Sequence, residues 1–271
     1  VDFTGGEPLL HRDLPAFLSM AKKAGYITSV TTNALLFEKK APLLRGKIDL
    51  LHFSIDSDNR EQHNHIRGVS SFDAVIQAVD TALKLSMKPD LLFTYTADNI
   101  NNIQGIVNFA QKKRIMLILD PLFTPGSPDP LSHTIHNTAA AIAKKHSHVY
   151  LNKAHLTLRK QGGNRTDSPR CFAVESALVI LPDNRLALPC YHRAETLLKI
   201  DNNLSALLKS NARKKHINLQ GRHSYCEHCH INCYFDPSYN YKIDALFFQS
   251  MEAKARYGIQ KYIVQKMCSK Y

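Results

Sequence analysis

The first 120 residues of this 271-residue chain alternate strand-like and helix-like periods, and that alternation restricts the fold more than any other feature. Val1 to Thr4 reads as the end of a strand, and Leu14, Phe17, Leu18 and Ala21 follow at helical spacing. Ile27 to Thr32 is β-branched and strand-like, and Leu50 to Asp56 is a further strand. Phe72, Val75, Ile76, Val79 and Leu83 make a second apolar helical stripe. Leu91 to Ala97 is again a strand, Ile103, Ile106, Val107 and Ala110 mark a third helix, and Ile115 to Leu119 is the next strand. Strands separated by helices pair in parallel through right-handed crossovers, which predicts an α/β sheet or barrel.

Chemistry in such folds gathers at the carboxyl ends of the strands, where the loops converge. Here those ends carry Thr4-Gly5-Gly6-Glu7, Thr31-Thr32-Asn33, Ser54-Ile55-Asp56 and Asp120. Two glycines after a strand permit backbone conformations and a close ligand approach that a Cβ would block. Pro8 suits the start of a turn or helix, and Glu7 adds an acceptor beside the loop. Taken alone, the turn is equally compatible with an ordinary strand-to-helix connection.

With 44% hydrophobic residues the chain can bury a sizeable core, as one large domain or one domain with a small appendage. No apolar stretch approaches the roughly 18 residues of a membrane span, so no membrane partner is expected. The net charge of +12 permits an anionic partner. The Lys and Arg residues are scattered, however, in short clusters such as Lys112-Lys113-Arg114 and Arg213-Lys214-Lys215. With no Trp and no aromatic–basic recognition motif, a solvated basic surface is expected, and nucleic acid is not an expected partner.

The second half reads differently. Pro121 to Pro130 interrupts the alternation, and Gln161 to Arg170 looks like a linker. Phe172 to Leu181, Asp183-Asn184 and Arg185 to Pro189 read as a β-hairpin, and a last helix is expected from about Ile243 to Met267. The six cysteines stand at 171, 190, 226, 229, 233 and 268, none of them earlier. Cys171 and Cys190 flank the hairpin, and Cys226, Cys229 and Cys233 share one short loop. That clustering suggests metal ligation in a reducing compartment, hence the cytoplasm, rather than a disulfide scaffold. Four thiolates suffice for a cubane iron–sulfur cluster or for structural zinc. His228 or His230 could replace a thiol, but both are read as solvent-facing loop residues.

Phe3-Thr4-Gly5-Gly6-Glu7-Pro8-Leu9-Leu10 resembles the turn that follows the second strand in radical S-adenosylmethionine (SAM) enzymes. Thr31-Thr32-Asn33, Ser54-Ile55-Asp56, His65-Ile66-Arg67-Gly68 and Ser71-Phe72 then arrive in that family's order. The resemblance implies a partial (β/α)6 TIM-like barrel over residues 1–165, with SAM bound at its strand ends. Gly5, Gly6 and Glu7 would hold the SAM amine. Asn33, Ser54 and Arg67 are candidates for its ribose and carboxylate, and Asp56, on the strand face of Ser54, joins that cofactor-binding set. The tail, residues 166–242, resembles the auxiliary-cluster domains called SPASM and Twitch. It implies one auxiliary 4Fe-4S cluster on Cys171, Cys190, Cys226 and Cys229, with Cys233 as a rival ligand. Residues 243–271 form the expected terminal helix, with Cys268 a bystander.

One departure from the family is plain. Its Cys-x-x-x-Cys-x-x-Cys loop, which binds the SAM-cleaving 4Fe-4S cluster, lies upstream of this turn, and no cysteine precedes Cys171. The chain, which starts at Val1, is therefore expected to be an N-terminally truncated piece, inactive by itself. The whole protein is expected to generate a 5′-deoxyadenosyl radical that oxidises or modifies a peptide or small metabolite. It would draw electrons from a donor such as flavodoxin or ferredoxin. The alternatives are a non-catalytic iron–sulfur or zinc-binding protein that keeps the fold, and a basic RNA-modifying protein.

Overall fold

The computed structural model describes residues 1–264 apart from 126 and 128. Cys268 and the end of the expected terminal helix therefore lie outside the described residues. The chain divides into two compact units. One comprises residues 1–121, 134–151 and 256–271, and the other residues 122–133 and 152–255.

The first unit is built on six parallel strands in sequential order: β1 (Asp2–Phe3), β2 (Ser29–Thr32), β3 (Leu50–Ile55), β4 (Pro89–Tyr95), β5 (Met116–Pro121) and β6 (Val149–Tyr150). Its helices are α1 (Leu14–Lys23), α2 (Phe37–Leu44), α3 (Arg60–Arg67), α4 (Phe72–Lys84), α5 (Gln104–Lys113) and α6 (His133–Lys145). Right-handed crossovers that always step in one direction place the connecting helices on one face of the sheet, which is barrel-like winding. Among the described residues β1 and β6 stand at the two edges and do not pair with each other, so the barrel is open. The α/β partial barrel expected from the sequence is the fold observed.

Alternation along the strands separates two chemistries. Leu51, Phe53 and Ile55 of β3 and Leu91, Phe93 and Tyr95 of β4 are fully buried, as are Val75, Ala78, Val79 and Ala82 of α4. The opposite face carries Thr31, His52 and Asp90 side by side in register across β2, β3 and β4, with Ser54, Thr94 and Asp120 nearer the carboxyl ends. Near the amino end of β4, Asp90 is wholly buried and accepts from Lys261 Nζ at 2.5 Å and Tyr257 Oη at 2.6 Å. His52 Nε2 approaches the same oxygen at 3.5 Å.

Several helices lack the apolar stripe that reveals a helix in sequence. In α3 only His63 is buried; its signals are Asn59, whose side chain caps Gln62 N, and Gly68, which ends it at φ 66°.

The second unit contains α7 (Lys153–Lys160), α8 (Ala173–Ser176), α9 (Leu204–Lys209), α10 (Asn211–Leu219), α11 (Asn232–Ser238) and the greater part of α12 (Ala245–Ile259). Its sheet is antiparallel: β7 (Val179–Ile180), β8 (Arg185–Leu188) and β9 (Thr196–Lys199). The expected hairpin thus exists with a short first arm, because residues 173–176 are helical, and it gains a third strand. The division at residue 152 differs from the expected boundary at 165. Arg159 explains the difference: its wholly buried side chain holds Asp129 through two nitrogens and donates to the Leu122 carbonyl at 2.7 Å. Asn152 caps α7 and donates to Asp236 at 2.6 Å. No helix among the described residues is long and apolar enough to cross a membrane.

Candidate functional sites: a strand-end loop cluster and a four-cysteine pocket

At the carboxyl end of β1, Gly5 adopts φ 102°, a left-handed conformation that strains any residue with a Cβ. Gly5 and Gly6 are exposed with open space beside each Cα, so their main-chain groups are accessible to a ligand. Glu7 is committed to the protein itself. Its Oε1 accepts from Leu9 N at 2.9 Å and Thr32 Oγ1 at 2.8 Å, and its Oε2 from Asn33 N at 2.8 Å. The carboxylate therefore ties the turn after β1 to the end of β2. Asn33 folds back on its own loop, its Oδ1 accepting from Leu35 N.

The next strand end carries a second cluster. Arg67 Nε lies against Asp56 Oδ2, although its buried N–H is not aligned for a hydrogen bond. Burial pushes the Asp56 carboxyl up, with the neighbouring guanidinium opposing that shift. The Asp56 amide donates to His63 Nδ1 at 3.2 Å, which leaves His63 Nε2–H to donate to Ser71 Oγ at 2.9 Å. Burial, helped by the charge of Arg67, brings the His63 pKa down to about 4. Ser54, mostly buried, shares the β3 face of His52. Glu7, Asn33, Ser54 and Asp56 thus lie at or just beyond the ends of β1, β2 and β3, and Arg67, the last residue of α3, meets Asp56 there.

In the second unit Cys171, Cys190, Cys226 and Cys229 line one cavity with Ala173, Pro189, Ile231 and Tyr234. Cys233 is exposed and is not among the lining residues. Burial raises all four lining thiols. Cys226 is pushed up to about 12 by burial and by the charges of Cys229 and Cys190. Without a cation these thiols stay protonated, whereas a bound metal core would deprotonate them outright. Among the described residues no three of these sulfurs lie within 4.8 Å of one another.

The cavity owes its shape to a segment that looks like a linker in sequence. Asn164 is completely buried, and its Nδ2 donates to the Gly221 carbonyl at 2.8 Å and the Cys226 carbonyl at 3.1 Å. Its Oδ1 accepts from Arg170 N at 2.9 Å and Cys171 N at 3.2 Å. Its own amide donates to the Cys229 carbonyl at 2.8 Å, and its carbonyl accepts from His228 N at 2.9 Å. One side chain and its peptide groups therefore hold three of the four cysteine positions. Gly163 beside it adopts φ 83°, and a Cβ there would come within 2.6 Å of the His228 carbonyl oxygen. The linker expectation fails because the backbone polar groups of this loop are satisfied internally. The expectation of two solvent-facing histidines holds for His228 alone. His230 is 1% exposed, and its carbonyl makes a 3.0 Å hydrogen bond with His155 Nε2.

Residues 1–111 match the sequence model of the Radical SAM superfamily. A probable GTP 3′,8-cyclase of Sulfurisphaera tokodaii is 35% identical over 113 residues, 41% of this chain and 36% of that protein. Another from Saccharolobus islandicus is 28% identical over 183 residues, 66% of this chain and 57% of that protein. The chain thus spans between about a third and somewhat over half the length of these curated relatives. Among solved structures, anSMEcpe with bound AdoMet superposes with a TM-score of 0.62 at 17% identity, covering 99% of this chain and 82% of that one. SuiB of Streptococcus suis bound to S-adenosylmethionine gives a TM-score of 0.62 at 15% identity, covering 91% and 65%. These likenesses show the fold alone.

Proposed function

We propose that this chain belongs to a radical SAM iron–sulfur enzyme, with SAM at the strand ends of the first unit and one auxiliary 4Fe-4S cluster in the second. The four converging thiols carry the reading. Tetrahedral zinc with bonds of about 2.3 Å would need sulfurs about 3.8 Å apart, whereas among the described residues no three of the cysteine sulfurs lie within 4.8 Å of one another. The wider spacing and the largely apolar lining suit a larger inorganic core with Cys171, Cys190, Cys226 and Cys229 as ligands and Cys233 outside the set. This is the arrangement of a SPASM/Twitch-like appendage.

The first unit has donor chemistry that fits SAM: an accessible Gly5-Gly6 main chain, a Glu7 carboxylate fixed in place, and the Asp56–Arg67 pair beside Ser54 and Asn33. When bound, SAM and a reduced SAM-binding cluster supply a 5′-deoxyadenosyl radical. The protein's part is to fix and orient. Glu7 locks the β1 and β2 loops together, the His63–Ser71 bond anchors the Asp56 amide, and Asp56 restrains Arg67 to one side of the site. Arg67 keeps guanidinium nitrogens beyond Nε for a ligand carboxylate.

The substrate is a peptide or small metabolite. The relatives act on different chemistries, GTP in one case, and one anSMEcpe structure holds a peptide. The enzyme is expected to be cytoplasmic and to take electrons from flavodoxin or ferredoxin. The test is to reduce reconstituted protein that carries the three-cysteine loop, supply SAM, and assay 5′-deoxyadenosine. Release that falls in Asp56→Ala and Arg67→Ala supports the reading; complete absence of the product from the unmutated protein defeats it.

A further inference from the structure

Beside the four-cysteine cavity lies a second group of ligating side chains that the radical SAM reading does not use. Glu195 precedes β9, His216 lies on α10, and His223 lies in the turn that leads to Cys226. One ligand atom of each falls within 4.8 Å of the others. His216 is only 5% exposed, and its Nε2 makes a 2.9 Å hydrogen bond with Thr196 Oγ1. Its Nδ1 is buried with no hydrogen-bond partner, and so is Nε2 of His223. The Tyr225 ring stacks on His223 at 4.8 Å and 9°, and burial, followed by the neighbouring Glu195 carboxylate, pushes its hydroxyl up.

Two unpartnered, buried imidazole nitrogens and an exposed carboxylate are thus brought together. Buried polar atoms are normally satisfied, and leaving one unmade costs roughly 1–3 kcal/mol. With Nε2–H of His216 donated to Thr196, its Nδ1 carries a lone pair free for a cation shared with Glu195 and His223. The Thr196 contact is also the kind of outer hydrogen bond that fixes the tautomer of a metal-bound histidine.

We propose that Glu195, His216 and His223 bind a divalent transition metal, zinc, at a site separate from the four cysteines. Two imidazoles and one carboxylate are a zinc donor set that leaves one tetrahedral position open, and the Tyr225 hydroxyl borders it. The ion clamps β9 and α10 to the loop that delivers Cys226. It contains no sulfur ligand, so it is spectroscopically distinct from the cysteine site.

The test uses protein first reconstituted with iron and sulfide, then equilibrated with Zn2+ or Co2+ alone and freed of excess. Expected are one metal ion per chain beyond the iron and a Co2+ spectrum without thiolate charge-transfer bands. Glu195→Gln, His216→Ala and His223→Ala should weaken binding at least as much as the roughly 10–100-fold seen for loss of an outer-shell partner. Their iron content should be unchanged, and His146→Ala should bind normally. Glu195 is exposed, so Glu195→Gln decides the matter if a histidine variant fails to fold. Should the cysteines take zinc in place of iron, the count rises to two and the variants return it to one. Failure of the cysteine reading is then distinguishable from failure of this one. No retained metal in the unmutated protein, retention in all three variants equal to that of the unmutated protein, or thiolate bands from added Co2+ in protein whose iron content is complete would overturn the proposal.

Discussion

Replacing Asn164 with Ala removes one side chain from the middle of the cysteine-bearing unit and strands three backbone groups. The Gly221 carbonyl loses its donor and the amides of Arg170 and Cys171 lose their acceptor, whereas the Cys226 carbonyl keeps the Cys229 amide at 3.1 Å. Each buried orphan costs roughly 1–3 kcal/mol, so three would cost about 3–9 kcal/mol if nothing relaxed. The vacated space is polar and can admit water, which puts the expectation at the low end, about 3 kcal/mol. Because 1.4 kcal/mol is a factor of ten, hydrogen exchange of the Arg170 and Cys171 amides should accelerate about 100-fold. Iron reconstitution should fall with it. Asn164→Asp keeps the acceptor half, so those two amides should stay better protected than in the Ala variant. The reasoning would be refuted if Asn164→Ala exchanged at the unmutated rate in residues 164–171 and took up iron normally.

Gly163→Ala forces a Cβ onto the His228 and Cys229 carbonyl oxygens at 2.6 and 2.8 Å, whereas the nearest atom at Gly162 is 3.8 Å away. Iron uptake should therefore drop in the first variant far more than in Gly162→Ala, and equal losses would contradict the packing argument. Lys261→Met removes the ammonium from the buried Asp90 carboxylate and leaves it the Tyr257 hydroxyl and the His52 ring, the Lys261 and Asp90 side chains being 1% and 0% exposed. Thermal unfolding should show a loss of roughly 3–5 kcal/mol, largely restored by adding Asp90→Asn; an unchanged midpoint would count against the buried pair. His63 has its pKa lowered to about 4 from 6.5. The unfolded chain therefore binds more protons between those values, and the stability His63 contributes is present above pH 6.5 and lost as pH falls through 4. The shift corresponds to about 3 kcal/mol, and a melting-temperature profile of His63→Gln should flatten in that window. A parallel profile would rule the histidine out.

The fold of the first unit was legible because its strands and the helices α1, α4 and α5 bury apolar residues at regular spacing, with Val75, Ala78, Val79 and Ala82 as the clearest case. Helix α3 was not, since it buries only a histidine and is set by a cap and a terminal glycine. The loop motifs at Gly5-Gly6-Glu7 and Ser54-Ile55-Asp56 were visible as residue types. Their wiring was not, because the bonds from Glu7 to Thr32 and Asn33 join residues 25 and 26 positions apart. In the tail the cysteine spacing pointed to a metal site, yet Asn164 was hidden among glycines and charged residues that imitate a linker. A buried asparagine announces itself only through partners such as Gly221 and Cys226, both more than 50 residues away. Glu195, His216 and His223 share no local motif at all, and only the folded chain, with His216 of α10 bonded to Thr196 of β9, brings them together.

The central claim is a 4Fe-4S cluster on Cys171, Cys190, Cys226 and Cys229, and it is tested most directly by quantifying iron and acid-labile sulfide in this chain after anaerobic reconstitution. The account predicts about four of each per chain, and about eight when the three-cysteine loop is also present. Substituting any of the four cysteines with Ala should lower both counts, and Cys233→Ala should leave them unchanged. A chain that takes up zinc and no iron, or one whose iron depends on Cys233 and not on Cys171, would contradict it.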